Sequence, residues 1–298
     1  MTERAPEVFS LPVQGGQLAI ARWPGPPGAP TVVAAHGITA NHVSFDLVAR
    51  ALMADVTVVA PDLRGRGRSN GVTGPFGITA HAADVVALLD HLDVERTTVL
   101  GHSMGAWVAT CTAVQHPDRV DAVVLVDGGL ALPLAEGVDV DTVLQAVLGP
   151  SIARLSMTFA DGDEYREFWQ QHPAVGGGYW SELVEAYVDY DLEGAPPDCR
   201  SSVSIDAVRG DATEQLSVPE VRDAVEHLTC PAHLLFAPRG LLDGDPLYPA
   251  DALDALRPGW PTVVHEEVVP DTNHFTIVLG DGAPAVAAAV RRAVVRPG

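Results

Sequence analysis

A chain of 298 residues that is 47% hydrophobic and 19% charged holds enough apolar material for one large domain, or one domain with an insertion, and is not a disordered polymer. Its 39 Asp and Glu stand against 18 basic residues, every one of them Arg, for a formal net charge of −21. Such a field repels phosphate backbones and disfavours nucleic acid as a partner, and every apolar run is broken well before the roughly 18 residues of a membrane span. Residues 1–6 lack the basic-then-apolar layout of a secretory leader, so the expected location is the cytoplasm. Cys111, Cys199 and Cys230 have no metal-ligand spacing and read as reduced, structural thiols.

In chain order, residues 7–11 and 17–23 flank Gly15-Gly16 and predict an antiparallel hairpin at a sheet edge. Short β-branched runs then recur at 31–35, 56–60, 98–100 and 122–126, separated by helical segments near 44–53, 80–92 and 104–116. Strands this continuously apolar are covered on both faces, which predicts a parallel sheet between two helical layers. From residue 131 to about 222 the rhythm stops: helical spacing at 138–148, 151–160, 164–171 and 180–190 predicts an inserted helical lid rich in Trp and Tyr. Strand character returns at 232–236 and 262–265, followed by helices near 249–256 and 283–295. The core is therefore assigned to 1–130 and 223–298, with the insertion at 131–222 hanging over the sheet.

Directly after the strand ending at Leu100 stands Gly101-His102-Ser103-Met104-Gly105, a G-x-S-x-G pentapeptide in the strand–turn–helix context that the motif demands. The turn is sharp, and its neighbours two residues away must lack bulk. Ser103 is thereby the candidate nucleophile, and a serine hydroxyl requires a base. His274, in Asp271-Thr272-Asn273-His274-Phe275 beyond the last strand, is placed over the same sheet edge and is the candidate base; His102 is read as structural and facing away. The amides of Met104, at the helix start, and Ile38, in His36-Gly37-Ile38-Thr39, are the candidate oxyanion donors.

These pieces, with Pro61-Asp62-Leu63-Arg64-Gly65-Arg66-Gly67-Arg68-Ser69 and His116-Pro117, resemble the α/β-hydrolase superfamily, nearest its capped, esterase-like branch. The resemblance implies an eight-stranded, mostly parallel sheet and a Ser-His-acid triad. It places the acid after the sixth or seventh strand, where Asp127 is the first choice and Asp243 the alternative. Ser103 stands where epoxide hydrolases and haloalkane dehalogenases of this fold carry Asp, and Thr39 replaces a proline that epoxide hydrolases keep, so their chemistry is disfavoured.

The expected function is a cofactor-free, metal-free serine hydrolase acting on an ester or lactone of a neutral, fairly apolar small molecule, with Trp169, Trp180 and Tyr187 of the lid as substrate-wall candidates. Hydrolysis of a carbon–carbon bond in a ring-cleavage diketone uses the same Ser and His, and Arg154, Arg166, Arg200 or Arg209 would then serve as a carboxylate clamp. A non-turnover small-molecule receptor is the reading from a different class. A small molecule is the expected partner, neither nucleic acid nor membrane is, and a homodimer stays compatible with the sequence.

Overall fold

The computed structural model describes residues 5–132 and 139–294. Strands β1 (Glu7–Val13) and β2 (Gly16–Trp23) form the antiparallel hairpin. They are followed by β3 (Thr31–Ala35), helix α1 (Asp46–Leu52), β4 (Thr57–Pro61), α2 (Ile78–His91), β5 (Thr97–His102), α3 (Met104–Gln115) and β6 (Val120–Val126). An insertion carries α4 (Val140–Leu148), α5 (Pro150–Ala153), α6 (Gly162–Gln170), α7 (Glu182–Asp191), strands β7 (Leu192–Glu193) and β8 (Arg200–Ser201), α8 (Ile205–Ser217) and α9 (Pro219–Arg222). The sheet is then completed by β9 (Ala232–Phe236), α10 (Ala250–Leu256) and β10 (Val263–Val268), with α11 (Thr276–Leu279) and α12 (Ala283–Ala293) behind it.

The eight-stranded sheet runs β1-β2-β4-β3-β5-β6-β9-β10, with β2 antiparallel to its neighbours and every pairing from β4 to β10 parallel. This is the α/β-hydrolase fold. Successive side chains of the central strands alternate between two cores, as pleating requires. Val33, Val59, Val99 and Val123 pack with Leu88 of α2 and Trp107 of α3, whereas Val32, Val58, Leu100 and Val124 pack with Leu52 of α1 and Val290 of α12. Because β4 and β5 lie on opposite sides of β3, the loops leaving the carboxyl ends of β3 and β5 open a crevice at a topological switch point, where ligands of such sheets bind.

Within the insertion the structure departs from the helical reading in two places. The helix expected over 151–160 ends with a short 3₁₀ turn at Arg154–Ser156, because Phe159 exchanges backbone hydrogen bonds with Cys199 (2.7 and 2.9 Å). The two-residue strands β7 and β8 pair beside it, so the expectation that no sheet pattern occurs before residue 230 is corrected. Val138 and Val295, expected as helix termini, lie outside the described residues. The aromatic residues Phe159, Tyr165, Phe168, Trp169 and Tyr187 form one edge-on cluster, which continues into the core through Phe275. No helix among the described residues is long and apolar enough to cross a membrane.

Candidate active site

The site is assembled from the loops at the carboxyl ends of β3, β5, β6, β9 and β10. Ser103 sits between β5 and α3 with φ 53° and ψ −126°, a conformation that costs a non-glycine residue on the order of 1–3 kcal/mol. The neighbouring backbones come too close for side chains. A β-carbon at Gly105 would lie 1.9 Å from the Ala35 carbonyl oxygen, and one at Gly128 would lie 2.2 Å from the Ser103 carbonyl oxygen. Helix α3 starts at Met104, so the Met104 amide stands at the N-terminal, positive end of the helix dipole, next to Ser103.

The His36-Gly37-Ile38-Thr39 loop is held from below by a histidine. His36 accepts a hydrogen bond from the Leu63 amide at its Nε2 (2.9 Å) and donates from Nδ1 to the Gly37 carbonyl (2.8 Å). Burial holds this ring neutral, with its pKa lowered to about 3. The Gly37 carbonyl also accepts from the Ala40 amide (3.1 Å). The peptide is planar and trans, so fixing this carbonyl turns the Ile38 N–H the opposite way.

His274 Nδ1 meets Asp127 Oδ2 at 2.6 Å, with both side chains buried. This bond leaves Nε2 as the ring's free nitrogen. Asp127 closes β6 at φ 47°; its amide donates to Leu235 (2.8 Å) and its second carboxylate oxygen accepts from the Ala237 amide (3.3 Å). Asp243, the alternative acid, does not reach His274. It accepts hydrogen bonds from Tyr179 Oη (3.0 Å) and Asn273 Nδ2 (3.0 Å) and pairs with Arg239 (3.3 Å), because the loop after β9 folds toward residue 179 and not toward the end of β6.

His102 does not face away from the site. Its ring stacks obliquely on His274, centroids 4.8 Å apart, and its Nε2 donates to the His274 carbonyl (2.8 Å). Burial lowers its pKa well below that of a free histidine. The ring is thus a neutral brace for the His274 backbone.

Two cavities flank Ser103. The first, of about 50 Å³, is walled by Ile38, Met104, Trp107, Leu144, Leu148 and Leu216, with Gln215 and Ser103 as polar side chains among the described residues. The second, of about 30 Å³, holds Ser103 and His274 on one wall with Gly37, Ser151, Tyr187 and Phe275. Tyr187 therefore borders the second cavity, whereas Trp169 and Trp180 border neither. Trp169 is 1% exposed and spent on the aromatic cluster, and Trp180 lines a groove at the outer seam of the insertion and α12. Leu148 and Leu241, which border both cavities, escaped the sequence reading, since an apolar residue in an apolar chain carries no signal. Trp107 was findable, four residues after Ser103 on one helix face. No cluster of three metal-ligating side chains is present among the described residues.

A family model described as the alpha/beta hydrolase fold matches residues 30–149. An uncharacterized protein of Mycobacterium tuberculosis is 39% identical over 100 residues, 34% of this chain and 29% of that protein. Lipase LipV of the same organism is 37% identical over 169 residues, 57% of this chain and 58% of that protein. The chain thus spans between 29% and 58% of the length of these curated relatives. Among solved structures, a thioesterase domain from the curacin biosynthetic pathway superposes with a TM-score of 0.73 at 22% identity, covering 97% of this chain and 100% of the other. An E-2-(acetamidomethylene)succinate hydrolase gives 0.72 at 22% identity, covering 96% and 98%. At that identity the likeness speaks for the fold alone.

The neutral histidines set a pH dependence of stability. His36 and His102, together with His172, whose pKa burial lowers to about 4, resist protonation in the fold but take up protons near pH 6.5 once unfolded. The unfolded state then binds more protons, so stability falls as pH falls below about 6.5, by up to roughly 1.4 kcal/mol per ring per pH unit. Asp211, held down to about 2, loses its contribution only below the ordinary carboxylate range. Thermal melts between pH 7.5 and 5 should show a steadily falling Tm with net proton uptake on unfolding; a flat profile would mean that the rings are charged in the fold.

Proposed function

We propose that this chain, whose residues 30–149 match a family model of the alpha/beta hydrolase fold, is a cofactor-free serine hydrolase of the cytoplasm that cleaves an ester or lactone of a neutral, apolar small molecule. The observation that carries this reading is the buried His274–Asp127 hydrogen bond, with His274 bordering the same small cavity as a serine on a strained elbow. Asp127 holds the imidazole with Nδ1 protonated, leaving the Nε2 lone pair to take the Ser103 proton as Oγ attacks the carbonyl carbon. The oxyanion is received by the Ile38 and Met104 amides. Collapse expels the alcohol with the proton from His274, and water then cleaves the acyl-enzyme by the same route in reverse.

The apolar preference is supported by the walls of both cavities. No arginine borders them among the described residues: Arg154 is fully buried within the insertion, and Arg166, Arg200 and Arg209 pair with acids on its surface. A carboxylate clamp for a ring-cleavage diketone therefore has no candidate among them. Both cavities fall far short of the roughly 300 Å³ of an ordinary ligand pocket. The insertion acts as a lid, in this reading, and must shift to admit a substrate.

Two tests follow. A fluorophosphonate should label Ser103, and Ser103→Ala should lose about three or more decades of kcat with the fold retained. Asp127→Asn should cost several decades because the amide favours the wrong imidazole tautomer, while Asp243→Asn should cost less than about tenfold and act mainly on stability. Binding of esters without any turnover would instead assign the chain to receptors. In the second test, Leu148→Ala removes a wall shared by both cavities, and the kcat/KM ratio of a hexanoyl to an acetyl nitrophenyl ester should rise by about tenfold or more. An unchanged ratio would place the acyl chain elsewhere.

A further inference from the structure

Arg154 of the insertion reaches the backbone of the oxyanion loop directly. Arg154 is 0% exposed. Its Nε faces Tyr165 Oη (3.1 Å) and Asp191 (3.4 Å), Nη1 donates to the Ser151 carbonyl, and the guanidinium lies 4.8 Å from the centre of the Trp169 ring. All of these partners belong to the insertion. The remaining contact crosses to the core: Nη2, also 3.3 Å from Asp191, donates to the Thr39 carbonyl at 2.9 Å. One residue earlier, the Ile38 carbonyl accepts from Nε of Arg66 (2.9 Å), a second guanidinium at 0% exposure, whose counter-charge is Asp211 of α8 at 2.5 Å.

Three consecutive carbonyls of the loop are therefore pinned, Gly37 by His36 and Ala40, Ile38 by Arg66 and Thr39 by Arg154. Gly37 has no side chain to resist rotation of the peptide that follows it. A flip there would turn the Ile38 N–H out of the cavity and present a carbonyl to the developing oxyanion, replacing attraction by repulsion. Pinning the next two carbonyls opposes that flip. Burying a guanidinium for this purpose costs several kcal/mol unless a carboxylate is beside it, and Asp191, itself satisfied by Ser201 and Ser202 Oγ (2.8 and 2.9 Å), supplies that carboxylate.

We propose that Arg154, neutralised by Asp191, is a positioning residue through which the insertion holds the oxyanion loop in its productive conformation. The proposal rests on the serine-hydrolase reading above. Its test separates oxyanion binding from ground-state binding. For the wild type, Arg154→Gln, Arg154→Lys and Asp191→Asn, one measures kcat and KM on a nitrophenyl acetate. Inhibition is measured with a trifluoromethyl ketone, which forms an oxyanion adduct on Ser103, and with an unreactive amide of the same shape. Arg166→Ala, on an exposed pair of the insertion, is the control.

In Arg154→Gln, kcat and trifluoromethyl ketone affinity should fall together by about tenfold to a hundredfold, while KM and amide affinity stay within about twofold. Arg154→Lys should fall between Gln and wild type, and Arg166→Ala should match wild type. Equal losses for ketone and amide, or an unchanged ketone affinity, would overturn the proposal and leave Arg154 as lid packing. Should Arg154→Gln not fold, the Lys and Asn variants give the same comparison. A wild type that forms no adduct at Ser103 would instead overturn the serine-hydrolase reading, and this proposal with it.

Discussion

Everything at this site depends on how closely three backbones approach at Ser103. The elbow places the serine at φ 53°, and the space around it admits no β-carbon at Gly105 against β3 or at Gly128 against Ser103 itself. Those clearances bring the loop after β3, the start of α3 and the end of β6 to one point. The strained turn is sustained because it is over-determined: the Ser103 amide donates to the Val126 carbonyl (2.9 Å), and the Ala106 amide closes the turn on the Ser103 carbonyl (2.9 Å). A parallel sheet makes this economical, since loops at the carboxyl ends of neighbouring strands all emerge on one edge.

A second level of organisation is the polar seam between core and insertion. Asp62, after β4, accepts from the His42 amide and ring, the Arg68 amide and Tyr190 Oη of α7. Asn41 donates to the Tyr187 carbonyl (3.2 Å), and Asn273, beside His274, donates to the Ala174 carbonyl (3.1 Å). Asp211 accepts from the Gly77 amide (2.7 Å) and meets His81 (3.0 Å). Each contact is directional, so it fixes where the insertion sits more sharply than apolar contact alone. The aromatic residues of the insertion also pack on the core, where Trp169 and His172 meet Phe275 edge-on, so polar and apolar contacts share the seam.

How much of this the sequence disclosed follows from the range of each signal. The strand at Thr31–Ala35 coincides with its β-branched run and that at Ala232–Phe236 with its mainly apolar run, because a strand buried on both faces leaves a nearly continuous apolar stretch. The elbow was legible because it is a local demand for glycine. The partner of His274 was not settled by local pattern: Asp127 and Asp243 both stand in glycine-rich loops after strands, and what separates them is the three-dimensional course of the β9 loop. Strands β7 and β8, at two residues each, are too short to show alternation. The aromatic richness of the insertion told of a cluster but not its direction, so Trp169 and Trp180 looked like substrate walls. Arg154 and Arg66 were hidden by a chain whose every basic residue is Arg.

The ownership of Asp211 has a consequence for modularity. Arg66 is part of the core, yet its counter-charge comes from the insertion. Exchanging the insertion for that of another protein of this fold would strand the Arg66 guanidinium at zero exposure unless the graft also carried an acid there. An unpaired buried charge of that kind destabilises by about 3–5 kcal/mol, a large share of what holds any domain together. The boundary at which this protein can be cut and recombined therefore does not coincide with the boundary drawn by its chain.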